Sequence, residues 1–132
     1  MTTQQFISPA RKLNDFWDWY ELALKEGWTD GLPVVPPTEQ RVGEFIERSG
    51  RPSNDVVGEL PERRREITVG KVAANAVMAG CLPEYFPVLV STLRTLEEEK
   101  NFVHMASAST SSPAILMIVN GPIRDQIGMN SK

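Results

Sequence analysis

Ala74-Asn75-Ala76-Val77-Met78-Ala79-Gly80-Cys81-Leu82-Pro83-Glu84-Tyr85 decides how this chain is read, because one helix stops inside it and another starts. Upstream, Val69, Val72, Ala73, Ala76 and Val77 recur at helical spacing, and Gly80 suits the left-handed residue that ends a helix. Downstream, Pro83 fits a first helical position, where its missing N–H would have no partner anyway. Phe86, Leu89, Val90 and Leu93 continue one apolar face, with Leu96 or Glu97 next in the series. Two amphipathic helices joined by a short turn predict a helix-rich core.

Cys81 is the only cysteine in the chain, and this turn holds it. Just ahead of a helix, free amides and the positive end of the dipole favour an anion, so a thiolate is expected to form readily. An unpaired cysteine is also among the most buried residue types and acts as a small apolar filler. Position supports both readings. Asn75 lies six residues earlier on the first helix, and Glu84, three residues after the thiol, is placed to bond back to the turn's amides as in a capping box.

At 132 residues with 41% hydrophobic content, residues 1–132 are expected to form a single domain with a core of its own. Fourteen basic residues against seventeen acidic ones give a formal charge of −3, without a basic stripe for phosphate tracking, so nucleic acid is not an expected partner. One cysteine excludes an internal disulfide, and Met1-Thr2-Thr3-Gln4-Gln5 lacks the basic and apolar regions of a secretory signal. A cytoplasmic protein is the expectation. No apolar stretch approaches the roughly 20 residues that span a bilayer, so no membrane partner is expected. With one histidine and one cysteine, a zinc site would have to lean on carboxylates; no metal is predicted, and the cofactor stays open.

Residues 1–27 read as an amphipathic N-terminal helix. Leu13, Phe16, Trp17, Tyr20 and Leu24 fall at helical intervals, Asn14 and Asp15 offer caps, and Gly27 follows the last turn. The aromatic stripe is assigned to the core or to a subunit contact. Gly27-Trp28-Thr29-Asp30-Gly31-Leu32-Pro33-Val34-Val35-Pro36-Pro37-Thr38 carries three prolines and must be an extended loop, with a turn at Asp30-Gly31. Thr38 then caps a helix bearing Val42, Phe45 and Ile46. From Gly50 to Glu66 the chain turns polar, and Glu62-Arg63-Arg64-Arg65-Glu66 reads as a solvated face in which the arginines are partly neutralised. Val56-Val57 is a short candidate for a sheet edge.

The last third differs. Val103-His104-Met105 leads into the hydroxyl-rich Ala106-Ser107-Ala108-Ser109-Thr110-Ser111-Ser112, and Pro113 to Val119 is almost wholly apolar, the pattern of a buried strand. His104 is the default acid or base if this chain moves protons. Ser109 and Thr110 offer hydroxyl donors to a substrate carboxylate. Asn120-Gly121-Pro122 turns sharply, and Ile123 to Ile127 has room for one helical turn before Gly128.

Three segments, Gly27 to Thr38, Ala74 to Tyr85, and Ile118-Val119-Asn120-Gly121-Pro122-Ile123, resemble the signature segments of a poorly characterised bacterial family. The resemblance runs from about Gly27 to Ser131, the family-like region of residues 28–132. Its members are similar to proteins associated with neighbours that carry a selenocysteine or Cys-Gly-Ser-Cys motif, which implies thiol or selenol chemistry. They are about twice this length and continue into a further helix and strands. The resemblance therefore implies that this chain is the N-terminal half of the fold and that a second protein subunit supplies the C-terminal half.

The expected fold is mixed α/β, helix-rich, with a small sheet completed by a partner chain. The expected function is the small subunit of a heteromeric enzyme acting on a small electrophilic substrate, with Cys81 as thiolate nucleophile and His104 as general base. Asp30, Asn75, Glu84, Tyr85, Ser109, Thr110 and Asn120 are the expected substrate-binding residues. The alternatives are a thiol or selenol redox partner, whose resolving cysteine would come from elsewhere, and a non-catalytic binding or scaffolding subunit.

Overall fold

A computed structural model of the chain describes residues 10–98, 110 and 114–129. They form a small mixed, helix-rich domain with a two-stranded antiparallel sheet. In chain order the elements are α1 (Phe16–Lys25), α2 (Glu39–Ser49), β1 (Val56–Leu60), β2 (Arg65–Thr68), α3 (Val69–Met78), α4 (Phe86–Glu98) and the single turn α5 (Ile123–Gln126). Short 3-10 turns at Pro61–Arg63 and Pro83–Tyr85 join β1 to β2 and lead into α4.

The core is built where the apolar periodicity is strongest. Val69, Val72, Ala73, Ala76 and Val77 of α3 are all buried, and they meet Val42, Phe45 and Ile46 of α2 and Phe86 at the head of α4. The rings of Phe45 and Phe86 cross edge to face at 5.6 Å, an arrangement favoured by the aromatic quadrupole. Thr38 caps α2 through its hydroxyl, which accepts from the Arg41 amide at 3.3 Å.

Residues 50–66, expected to be a surface excursion, contain β1 and the first half of β2. A two-stranded hairpin is marginal by itself and needs a packed face. Here β1 lies against α4, and a bulge between Val56 and Gly58 turns Val57 into the core. The loop at 53–55 then closes the N-terminus of α3. The Val69 amide donates to the Asp55 carbonyl at 2.9 Å, the Gly70 amide to the Ser53 carbonyl at 2.8 Å, and the Lys71 amide to the Thr68 hydroxyl. Gly70 has to be glycine, because a Cβ there would collide with the buried Ser53 hydroxyl. That hydroxyl has no hydrogen-bond partner among the described residues.

Two expectations need correcting. Of the stripe assigned to the core or to a subunit contact, Leu13, Phe16, Trp17 and Leu24 do not enter the core and Tyr20 is half-buried; α1 buries Trp19 and Ala23, and Trp17 is 67% exposed. Trp19 is held by the proline loop, donating from Nε1 to the Val34 carbonyl at 2.8 Å and packing on Trp28 at 5.7 Å. Nor do the described residues of the expected buried strand, 114–119, pair with any strand. Ile115, Leu116, Met117 and Ile118 are 58%, 83%, 49% and 78% exposed, and the segment touches α4 where the Thr92 hydroxyl meets the Met117 sulfur at 3.4 Å. An apolar run specifies burial only where something within reach can cover it.

Candidate functional site

The turn carrying Cys81 is a complete Schellman motif. Gly80, at φ 76°, donates to the Val77 carbonyl at 2.9 Å, and Cys81 donates to the Ala76 carbonyl at 2.9 Å, which satisfies the last carbonyls of α3. The proline loop adds a further tie, since the Val35 amide donates to the Met78 carbonyl at 3.1 Å. Cys81 is half-buried and, like Val35 and Leu89, packs against the core, and the next residue, Leu82, is exposed. Its own N–H is spent on α3. The residue thus follows the C-terminal end of α3 and precedes the 3-10 turn that leads into α4.

The same motif closes α1, through Gly27 and Trp28, and α5, through Gly128 and Met129. In all three the residue after the glycine is apolar, as the hydrophobic contact of this cap requires. Capping alone accounts for Cys81 where it stands.

The other expected site residues are spread out. Glu84 and Tyr85 share the 3-10 turn after Cys81, Tyr85 half-buried and Glu84 exposed. Glu84 makes no bond back to the turn, whose first residue, Leu82, offers no side-chain cap, so the capping-box expectation is not met among the described residues. Asn75 donates from Nδ2 to the Lys71 carbonyl at 2.8 Å and is engaged on its own helix. Asp30 is exposed in a turn organised by its neighbours: the Thr29 hydroxyl donates to the Leu32 carbonyl at 2.6 Å, and Tyr20 donates to the Gly31 carbonyl at 2.8 Å. Thr110 and Asn120 are exposed. His104 and Ser109 lie outside the described residues.

Among the described residues no group of three or more His, Cys, Asp or Glu side chains is placed to hold a metal ion. No helix among them is long and apolar enough to cross a membrane. The concavity these residues do form lies at the hairpin, away from Cys81, where Glu59, Pro61, Arg64, Arg65, Glu66 and Lys71 line an open dish. Its signal in the sequence was the arginine run, read there as a solvated face. No family model, curated protein or solved structure matches this chain, so its functional reading rests on the exposed apolar surfaces and on the chemistry of these two turns.

Proposed function

We propose that this chain is one component of a larger protein assembly, in which another polypeptide covers Ile115–Ile118 and adds strands to the small sheet. One observation carries the reading: four consecutive large apolar residues stand between about half and four-fifths exposed along a segment that pairs with no strand among the described residues. Monomeric proteins seldom leave such a patch open to water, and an unpaired apolar strand is a template for pairing. The outer stripe of α1, with Trp17 and Phe16, offers a second uncovered surface.

Within that assembly, Cys81 as a thiol nucleophile on a small electrophilic substrate is the second reading. It is favoured by the half-buried thiol beside exposed Leu82, a position that docking could enclose into a cleft. The assembly reading does not depend on it.

The test is native mass spectrometry on chain purified gently from its own host, with wild type beside Leu116→Asp/Ile118→Asp. Supporting the proposal, wild type carries a stoichiometric second protein and the double variant loses it while keeping its far-ultraviolet circular dichroism. A wild-type monomer overturns it. If the complex forms, Cys81→Ser that keeps the complex but abolishes its thiol-dependent turnover supports the second reading.

A further inference from the structure

We infer that Asn120-Gly121 is a modification site, at which the Asn120 side-chain amide converts spontaneously to a carboxylate through a cyclic imide, with water as the co-reactant. The inference is independent of the assembly reading.

Glycine after asparagine favours this reaction because it brings no Cβ to crowd the nitrogen that must attack. The structure leaves that nitrogen free. Asn120 is exposed and makes no hydrogen bond to another described residue. The Gly121 N–H likewise has no partner among the described residues, although the Gly121 carbonyl accepts from the Arg124 amide at 3.1 Å. Gly121 stands at φ 94°, and no described residue other than its chain neighbours lies within 4 Å of the place a Cβ would take. The other described asparagines are held. Asn75 sits inside α3 with its Nδ2 spent on the Lys71 carbonyl. Asn54 is followed by Asp55, whose N–H donates to the Pro52 carbonyl at 3.1 Å, and Asn14 donates from Nδ2 to the Asp18 carboxylate at 2.8 Å. Each must break that bond, or open its helix, before the ring can close. Asp30-Gly31 is the similar turn in the sequence, but there the Gly31 N–H donates to the Thr29 hydroxyl at 3.2 Å.

The chemistry balances with water alone. The Gly121 amide nitrogen attacks the Asn120 side-chain carbonyl carbon, and the bond from that carbon to the side-chain nitrogen breaks. The side-chain nitrogen leaves as ammonia, taking the Gly121 amide proton with it. Water then opens the imide. Attack at the side-chain carbonyl gives aspartate; attack at the backbone carbonyl gives isoaspartate, in which the chain runs on through the former side chain. Each conversion adds one negative charge to the formal −3 of the chain. Isoaspartate also lengthens the backbone by a methylene just past Val119, where the apolar run ends.

Peptide mapping by mass spectrometry tests this on the full chain, aged at physiological temperature in mildly alkaline buffer, once folded and once in guanidinium. Asn120 is expected to convert to aspartate and isoaspartate at rates within about tenfold of each other in the two states, while folding slows Asn54 and Asn75 by at least about tenfold. The conversion should slow in mildly acidic buffer, where less of the attacking amide is deprotonated. Ion exchange should show an acidic form accumulating in wild type and much less of it in Asn120→Gln, whose longer side chain closes a larger ring more slowly. An Asn120 that stays intact in the folded chain overturns the proposal. So does a folded rate more than about tenfold below the unfolded one, and so does an acidic form that Asn120→Gln accumulates as fast as wild type.

Discussion

Helices α1 and α3 are both ten residues long and both carry an apolar stripe legible in the sequence, yet their stripes end in opposite places. Every residue of the α3 stripe is buried, because α2, the head of α4 and Val57 close around it. On α1 Phe16, Trp17 and Leu24 of the expected stripe face water, while Trp19 and Ala23 on the adjoining face turn inward. The difference is one of partners. α3 lies between two helices and the hairpin, whereas α1 rests on the proline loop through Trp19, Tyr20 and Trp28. Periodicity states that a helix has an apolar face; it does not say which arc is covered by this chain and which is left for another molecule.

Substitutions break or sharpen that contrast. Phe86 belongs to the cluster that encloses α3 and is fully buried, so Phe86→Ala should cost about 3–5 kcal/mol in urea unfolding of the whole domain. A cost below about 1 kcal/mol would mean that the α3 stripe is not closed as described. Gly70→Ala drives a methyl into Ser53 and should cost roughly 1–3 kcal/mol. Ser53→Ala should be neutral or slightly stabilising, since it removes a buried hydroxyl without a partner among the described residues, and the double variant should recover part of the Gly70→Ala loss. Additive losses would place the Ser53 hydroxyl elsewhere.

The two glycine caps separate the helices more finely. Gly27 and Gly80 both have left-handed φ, at 69° and 76°, so alanine at either should cost about 1–2 kcal/mol. Hydrogen exchange should show the Gly80→Ala loss across α3 and α2, and the Gly27→Ala loss confined to α1; equal spread from both would make α1 part of the core. The smallest effect belongs to Trp17→Ala, expected within about 0.5 kcal/mol in the isolated chain despite the large side chain. A larger loss in the isolated chain would show that α1's outer stripe is already covered by the chain itself.

Most of the elements were legible before any coordinates. Asp15, Thr38 and Gly80 act where the sequence places them, at the ends of α1, α2 and α3, and Asp30-Gly31 turns as its composition demands. The hairpin was legible only in part, because polar β1 and β2 lack strict alternation and their cohesion comes from α4 and the bulge at Val57. Cys81 was correctly placed in a turn between helices, but its half-burial comes from packing against the core cluster, which the turn alone does not provide. Arg64 was visible as one of three arginines, and its left-handed backbone was not, because that conformation is imposed by closing the hairpin.

The sequence by itself determined where helices begin and end, since caps, glycines and prolines act through bonds within a few residues of themselves. Only the tertiary structure decided which apolar faces are covered, that Val57 enters the core while Ile115–Ile118 stay open, and that Glu59 and Glu66 face each other across the hairpin. Those outcomes depend on which distant segments come within van der Waals or hydrogen-bonding reach, a relation that local spacing does not encode.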